Sequence, residues 1–151
     1  MDGILYLHVT QGSFNGDTFL QYLSGLLEHM NPYPERNSVL VMDNCRIHHV
    51  EGVEGLCAER CVYSVLYHIG CFIYSFSRGV KLLYLPPYSP DFNPIEECFS
   101  YMKSVIRRHD HAFRAVLKTK DTVAISSFLA DTLATVTPEH AQSWFQHSNY
   151  L

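Results

Sequence analysis

The chain predicts an α/β domain with a mostly parallel sheet flanked by helices. Two observations carry that expectation. Three short apolar runs rich in branched and aromatic residues, GILYLHV (3–9), SVLVMDN (38–44) and VKLLYLP (80–86), read as strands. Between and after them lie stretches with apolar residues at helical spacing, separated by glycine, asparagine and proline. The order strand, helix, strand, helix, strand, helix is the one that produces crossovers between parallel strands. With 151 residues, 47% hydrophobic and 17% charged, the chain is sized for one globular domain and is too apolar for disorder.

Each element has a local cause. After GILYLHV, a turn at Gly12, Asn15 and Gly16 leads to Asn15 or Asp17, either of which can cap a helix. The apolar stripe of that helix is Phe19, Leu20, Leu23, Leu26 and Leu27, and NPYP (31–34) stops it because proline cannot continue the ladder. SVLVMDN reads as a buried parallel-type strand with an acid at its carboxyl end. VEGVEGLCAER (50–60) is a weaker helix interrupted by glycine, and VKLLYLP is a second buried strand. Next comes the stiff loop LPPYSPDFNPIEE (85–97). Here Asn93 fits an N-cap, Pro94 the first helical position and Glu96 the place of a capping-box acid. The helix it opens carries Ile95, Phe99, Met102 and Ile106 as its stripe. A last helix is expected over 121–134, with a short segment around Trp144 and Phe145 after Pro138 and Trp144 in the core.

The net charge of −4 means that the chain as a whole does not attract nucleic acid. Residues 100–120 are the exception, with Lys103, Arg107, Arg108, Arg114, Lys118 and Lys120 against Asp110 alone. That run is either a solvated helix face or a phosphate-contacting surface. Five cysteines without a CxxC pair suit a reducing compartment and speak against a disulfide framework or a zinc site. The start, MDGILYLHV, has no basic leader region. CVYSVLYHIGCFIYSFS (61–77) reaches only the lower length limit of a membrane span, and its serines, histidine and β-branched texture favour a buried strand pair or a foreign insert.

Two carboxylates draw attention. Asp43 ends one expected strand, and Glu96 opens the helix after the next. Functional groups of open α/β sheets gather beyond the carboxyl ends of strands, so both acids are expected at one crevice. Acids from separate elements are the hard oxygen ligands that Mg²⁺ prefers. Two such ions can hold the attacking water and the leaving oxygen of a phosphodiester displacement. A proline-stiffened loop would fix the glutamate beforehand. Read singly, Glu96 is a cap and Asp43-Asn44 a strand-end turn.

VLVMDNCRIHH (39–49) together with LLYLPPYSPDFNPIEECFSYMKSVIRR (82–108) resembles the catalytic domain of mariner-superfamily transposases. This is the DDE endonuclease group, whose fold is similar to ribonuclease H and retroviral integrase. GILYLHVTQGSFNGDTFLQYL (3–23) and the ending WFQHSNYL are also similar, so the resemblance covers nearly the whole chain apart from 61–78. It implies three acids: one on the first strand, one in the DN motif and one in NPIE. Carried over by motif, Asp43 is the second and Glu96 the third, both catalytic and metal-binding. Asp91 and Glu97 are the neighbours most easily mistaken for them. The resemblance further implies Mg²⁺ or Mn²⁺, DNA as partner, a transposase dimer, and an intracellular (nuclear, in a eukaryote) setting. Neither a membrane nor a small-molecule substrate is implied. The histidine of the DN motif, His48, is either a structural residue of the turn or a participant near the nucleic acid. Lys103, Arg107 and Arg108 are candidate phosphate contacts, with a solvated face as the alternative. His109 and His111, two apart, would point about 200° away from each other on a helix and not chelate one ion.

Two departures from the family pattern stand out. Residues 44–95 separate the two acids by more than the family allows, and the excess matches the length of CVYSVLYHIGCFIYSFSR (61–78). That segment is expected to be an in-frame insertion, with a retained short intron as the leading explanation. The family's first aspartate lies on a strand upstream of GILYLHV, and Asp2 is not assigned its role. The expectation is therefore an incomplete ribonuclease H-like fold with its first strands missing and no helix-turn-helix region ahead of it. Such a remnant would hold the metal weakly or not at all and be inactive or nearly so. A non-catalytic nucleic-acid-binding or interaction protein of transposase descent is the alternative.

Overall fold

A computed structural model describes residues 3–10, 12–59 and 79–150. It is α/β and mostly helical, with two compact units: Ser13–Ser89, and Met1–Gly12 together with Pro90–Leu151.

In the first unit, α1 (Gly16–Leu27) begins at Asn15, whose side chain accepts the Thr18 N–H at 3.0 Å while the Thr18 hydroxyl accepts the Asn15 N–H at 2.7 Å. This reciprocal cap satisfies two amides that the first turn leaves without helical partners. Phe19, Leu23, Leu26 and Leu27 form its buried face, with Leu20 half-buried beside them. The helix stops at Leu27, ahead of the prolines. Strand β1 (Val39–Met42) pairs in parallel with β2 (Lys81–Tyr84), in the register Val39 to Lys81 through Met42 to Tyr84. Residues 53–59, on the crossover between them, are helical over their described length and are labelled α2. Both strands were expected to be buried on two faces. Instead Val39 is 40% and Leu83 42% exposed, on the one face of the sheet that their register shares, so that face is only partly covered.

Val53 and Cys57 bury one side of α2. Gly79 and Val80 lie against Cys57 and Ala58 of that helix. The Val80 N–H donates to the Cys57 carbonyl at 3.0 Å, and a Cβ placed on Gly79 would lie 2.1 Å from that same oxygen. Residues flanking 60–78 thus meet at one point of the fold. The proposed insertion itself, and the membrane and strand-pair readings of 61–77, fall outside the described residues. No described helix is long and apolar enough to cross a membrane.

The second unit holds α3 (Pro94–Arg108), α4 (Asp110–Thr119), α5 (Thr122–Ala134) and α6 (Pro138–His147). Its core is Cys98, Leu133 and Val136, with Tyr101, Met102 and Trp144 packed against them. Asp121 caps α5 by accepting the N–H groups of Val123 and Ala124. Thr137 caps α6 with Pro138 at its first turn. The segment expected to be short is therefore a complete helix, started by the same cap-then-proline signal as α3.

Three further corrections concern this unit. GILYLHV is not a strand: residues 4–10 take no regular secondary structure, and the two-stranded sheet does not include them. Strand propensity alone does not make a strand, which forms only where a neighbouring strand pairs with the segment in register. The buried face of α3 is centred on Cys98 rather than on Ile95 and Phe99, which are 42% and 47% exposed. The helix packs on α5 and α6 through the neighbouring strip. His109 sits at the joint between α3 and α4 with φ −107° and ψ 26°, so the helical angle expected between it and His111 does not apply.

Candidate functional site

Asp43 follows the last residue of β1, at the carboxyl end of the parallel pair. Its carboxylate is held by the turn that follows it. Oδ1 accepts the Cys45 N–H at 3.0 Å and lies 2.8 Å from Nδ1 of His48. That same nitrogen is 3.2 Å from the Asp43 backbone carbonyl. Both neighbours of Nδ1 are acceptors, so Nδ1 carries the proton and donates. The ring of His48 is 19% exposed and packs on buried Phe19 of α1, with centroids 4.7 Å apart.

A second pair repeats the spacing one residue later. Nε2 of His49 bonds the side-chain oxygen of Asn44, and the His49 ring stacks on Tyr84 at 4.3 Å. The Tyr84 hydroxyl donates to the His48 carbonyl at 2.8 Å, tying β2 to the same turn. DNCRIHH therefore folds as a 3₁₀ turn (Arg46–His49) crossed by two side-chain pairs, each five residues apart. The sequence placed His48 near the site without a partner for it. The repeated five-residue spacing of Asp-Asn and His-His was the available signal.

Glu96 belongs to the second unit, in the first turn of α3. Asn93 is the N-cap and accepts the Ile95 N–H. The expected capping box does not form. The Asn93 N–H that Glu96 would have accepted goes to the Pro90 carbonyl at 2.8 Å, through the 3₁₀ turn Pro90–Phe92. The Glu96 side chain is exposed and released from that structural task. Its neighbour Glu97 differs: its Oε1 bonds Nδ1 of His147, pinning α3 to α6. Asp91 is exposed within the 3₁₀ turn.

The loop ahead of Glu96 bends through Tyr88, which has φ +57° and a fully exposed side chain. α3 runs unbroken from Pro94 to Arg108, so Lys103 and Arg107, at i+7 and i+11 from Glu96, fall within about 20° of its direction around the helix. Lys103, Arg107 and Arg108 are all exposed. Arg107 and Arg108 each donate from Nε to a carbonyl one turn back, those of Lys103 and Ser104. On α4, Arg114 is engaged by Asp110 at 2.7 Å.

The donor chemistry on both elements fits a hard divalent cation. The hydrogen bonds to Asp43 fall on Oδ1, with the side chain 47% exposed, and Glu96 presents an exposed carboxylate. Mg²⁺ binds through one or two such acids and retains several waters. Among the described residues, no group of three or more His, Cys, Asp or Glu side chains is placed to hold a metal ion. Compared with known families, residues 1–119 match the sequence profile of the DDE superfamily endonuclease. No curated protein and no solved structure matches the chain.

Proposed function

The chain belongs to the DDE superfamily endonucleases, and on that premise we propose that Asp43 and Glu96 are the second and third acids of a mariner-type transposase site acting on DNA. The observation that carries this reading is the state of the two carboxylates. Asp43 is fixed at the carboxyl end of β1, and Glu96 is excused from capping at the start of α3. The fold that suits it is of the ribonuclease H type, and the ion is Mg²⁺ or Mn²⁺. Such an ion supplies charge stabilisation for phosphodiester cleavage and for attack by the freed 3′-hydroxyl on target DNA. The residues' own tasks are to hold it, through Asp43 and Glu96, and to draw the phosphate backbone along α3 through Lys103, Arg107 and Arg108.

The 151 residues alone bring two of the three acids, with Asp2 unassigned. With no third acid assigned, strand cleavage by these 151 residues tested by themselves is expected to be orders of magnitude slower than with a full set. Two measurements check the reading. Mn²⁺ binding, followed by electron paramagnetic resonance, is expected to weaken at least tenfold in Asp43→Ala and in Glu96→Ala; unchanged binding in both sinks the site. Plasmid nicking with Mg²⁺ is expected to stay at background. Robust nicking that disappears in the same variants would keep the site and overturn the inactivity.

The second reading, a DNA-binding protein without cleavage, is favoured by the exposed cations of α3 and α4. It predicts DNA affinity that falls steeply with salt and is indifferent to Mg²⁺.

A further inference from the structure

Asp43 has two carboxylate oxygens, and the turn uses them unequally. Oδ1 receives both the Cys45 amide and Nδ1 of His48. A carboxylate held by two donors on one oxygen cannot rotate without breaking both bonds, so its second oxygen keeps a set direction. His48 is itself held from three sides. Its ring rests on buried Phe19, its Nδ1 also faces the Asp43 carbonyl, and its own carbonyl accepts the Tyr84 hydroxyl from β2. The His49–Asn44 pair, whose His49 ring stacks on Tyr84, braces the same turn.

We propose that His48 is a positioning residue for the metal site: its Nδ1–H engages Oδ1 of Asp43 and thereby leaves Oδ2 aimed and free to bind the divalent ion. This rests on the reading of Asp43 as a metal ligand given above. Because Nδ1 and not Nε2 makes the bond, the neutral ring carries its proton on Nδ1. Partners of this kind orient ligands ahead of binding, and their loss commonly lowers metal affinity by about 10–100-fold.

Regiochemistry provides the test. In the 151-residue protein, Mn²⁺ affinity is compared for wild type, Asp43→Ala, His48→Ala, His48→Asn and His48→Gln. The Asn amide nitrogen falls near the place of Nδ1, whereas the Gln nitrogen falls near that of Nε2. His48→Ala and His48→Gln are expected to weaken Mn²⁺ about tenfold or more, and His48→Asn to stay within about threefold of wild type. A role confined to packing would make Asn, the smaller side chain, no better than Gln, and that result overturns the proposal. So does wild-type affinity in His48→Ala when Asp43→Ala has lost binding. If Asp43→Ala binds Mn²⁺ normally, the metal-site reading fails first, and this inference with it. Nitrogen-15 NMR of the wild-type ring serves as a check independent of any variant's folding. A neutral His48 protonated on Nε2 with a bare Nδ1 would also overturn the proposal.

Discussion

Gly79 shows how a single position can be decided by space alone. A methyl group there would meet the Cys57 carbonyl at 2.1 Å and the Ala58 backbone at 3.0 Å, and neither backbone atom belongs to a side chain that can turn aside. Gly79→Ala is therefore expected to destabilise the unit by about 3 kcal/mol, read as a lowered urea midpoint. Near-wild-type stability would mean that α2 and the start of β2 do not approach so closely. Cys57, packed beside the same junction, has its thiol pushed up to about 11 by burial and secondarily by Glu54. Its free value is 9.0, so the unfolded chain ionises first. Stability is unaffected below that pH and falls as pH climbs from there through about 11. Unfolding free energies measured across this window are expected to slope less steeply in Cys57→Ala. Burial also raises the Cys98 thiol, whereas Cys45 is exposed. Of these three, only Cys45 should react quickly with a thiol reagent in the native protein.

At the scale of elements, α4 ends on Lys120, which adopts φ +54°, a left-handed conformation that costs a side-chain-bearing residue about 1 kcal/mol relative to glycine. Lys120→Gly should raise the thermal midpoint slightly, since Lys120 is exposed in the link between α4 and α5. No gain would mean that the lysine offsets the backbone term by its favourable charge at the helix end. The α2–β2 connection gives a larger test. Since Val80 bonds Cys57 directly, deleting residues 61–78 joins chain ends that already lie at one place. The shortened protein is expected to keep the β1–β2 pairing, with hydrogen-exchange protection of Leu82 and Leu83 no lower than before. Loss of cooperative melting would refute the insertion reading.

Across the whole molecule, the two acids of the proposed pair fall in different units, Asp43 in Ser13–Ser89 and Glu96 in the unit that contains Pro90–Leu151. In the first, Asp43 is built into a turn braced by Phe19, Tyr84 and two histidines. In the second, Glu96 stands at the head of a helix whose far end is basic, while Glu97 is committed to α6 through His147. The bond to His147 gives Glu97 a structural task that its exposed neighbour Glu96 does not have. Glu97→Gln should therefore lower the melting temperature of the helical unit while leaving Mn²⁺ affinity unchanged. Glu96→Gln should do the reverse. Equal effects of the two changes on metal binding would remove the distinction.

The starts of α1, α3 and α5 were legible from the chain because caps act within four residues, whereas α4 was not anticipated. Asn15, Asn93 and Asp121 each accept amides of their own first turn, and a proline just after the cap needs no partner at all. The core face of α1 was legible for a similar reason, since its apolar stripe is wide and unambiguous. Packing decided the rest. Which strip of α3 is buried depends on where α5 and α6 lie, and whether GILYLHV becomes a strand depends on a hydrogen-bonding partner that its own residues cannot supply. The union of His48 with Asp43 likewise requires the 3₁₀ turn and the support of Phe19, contributed from α1. Local chemistry fixes where elements begin, whereas contacts between residues distant in sequence choose the faces they bury and the partners their side chains meet.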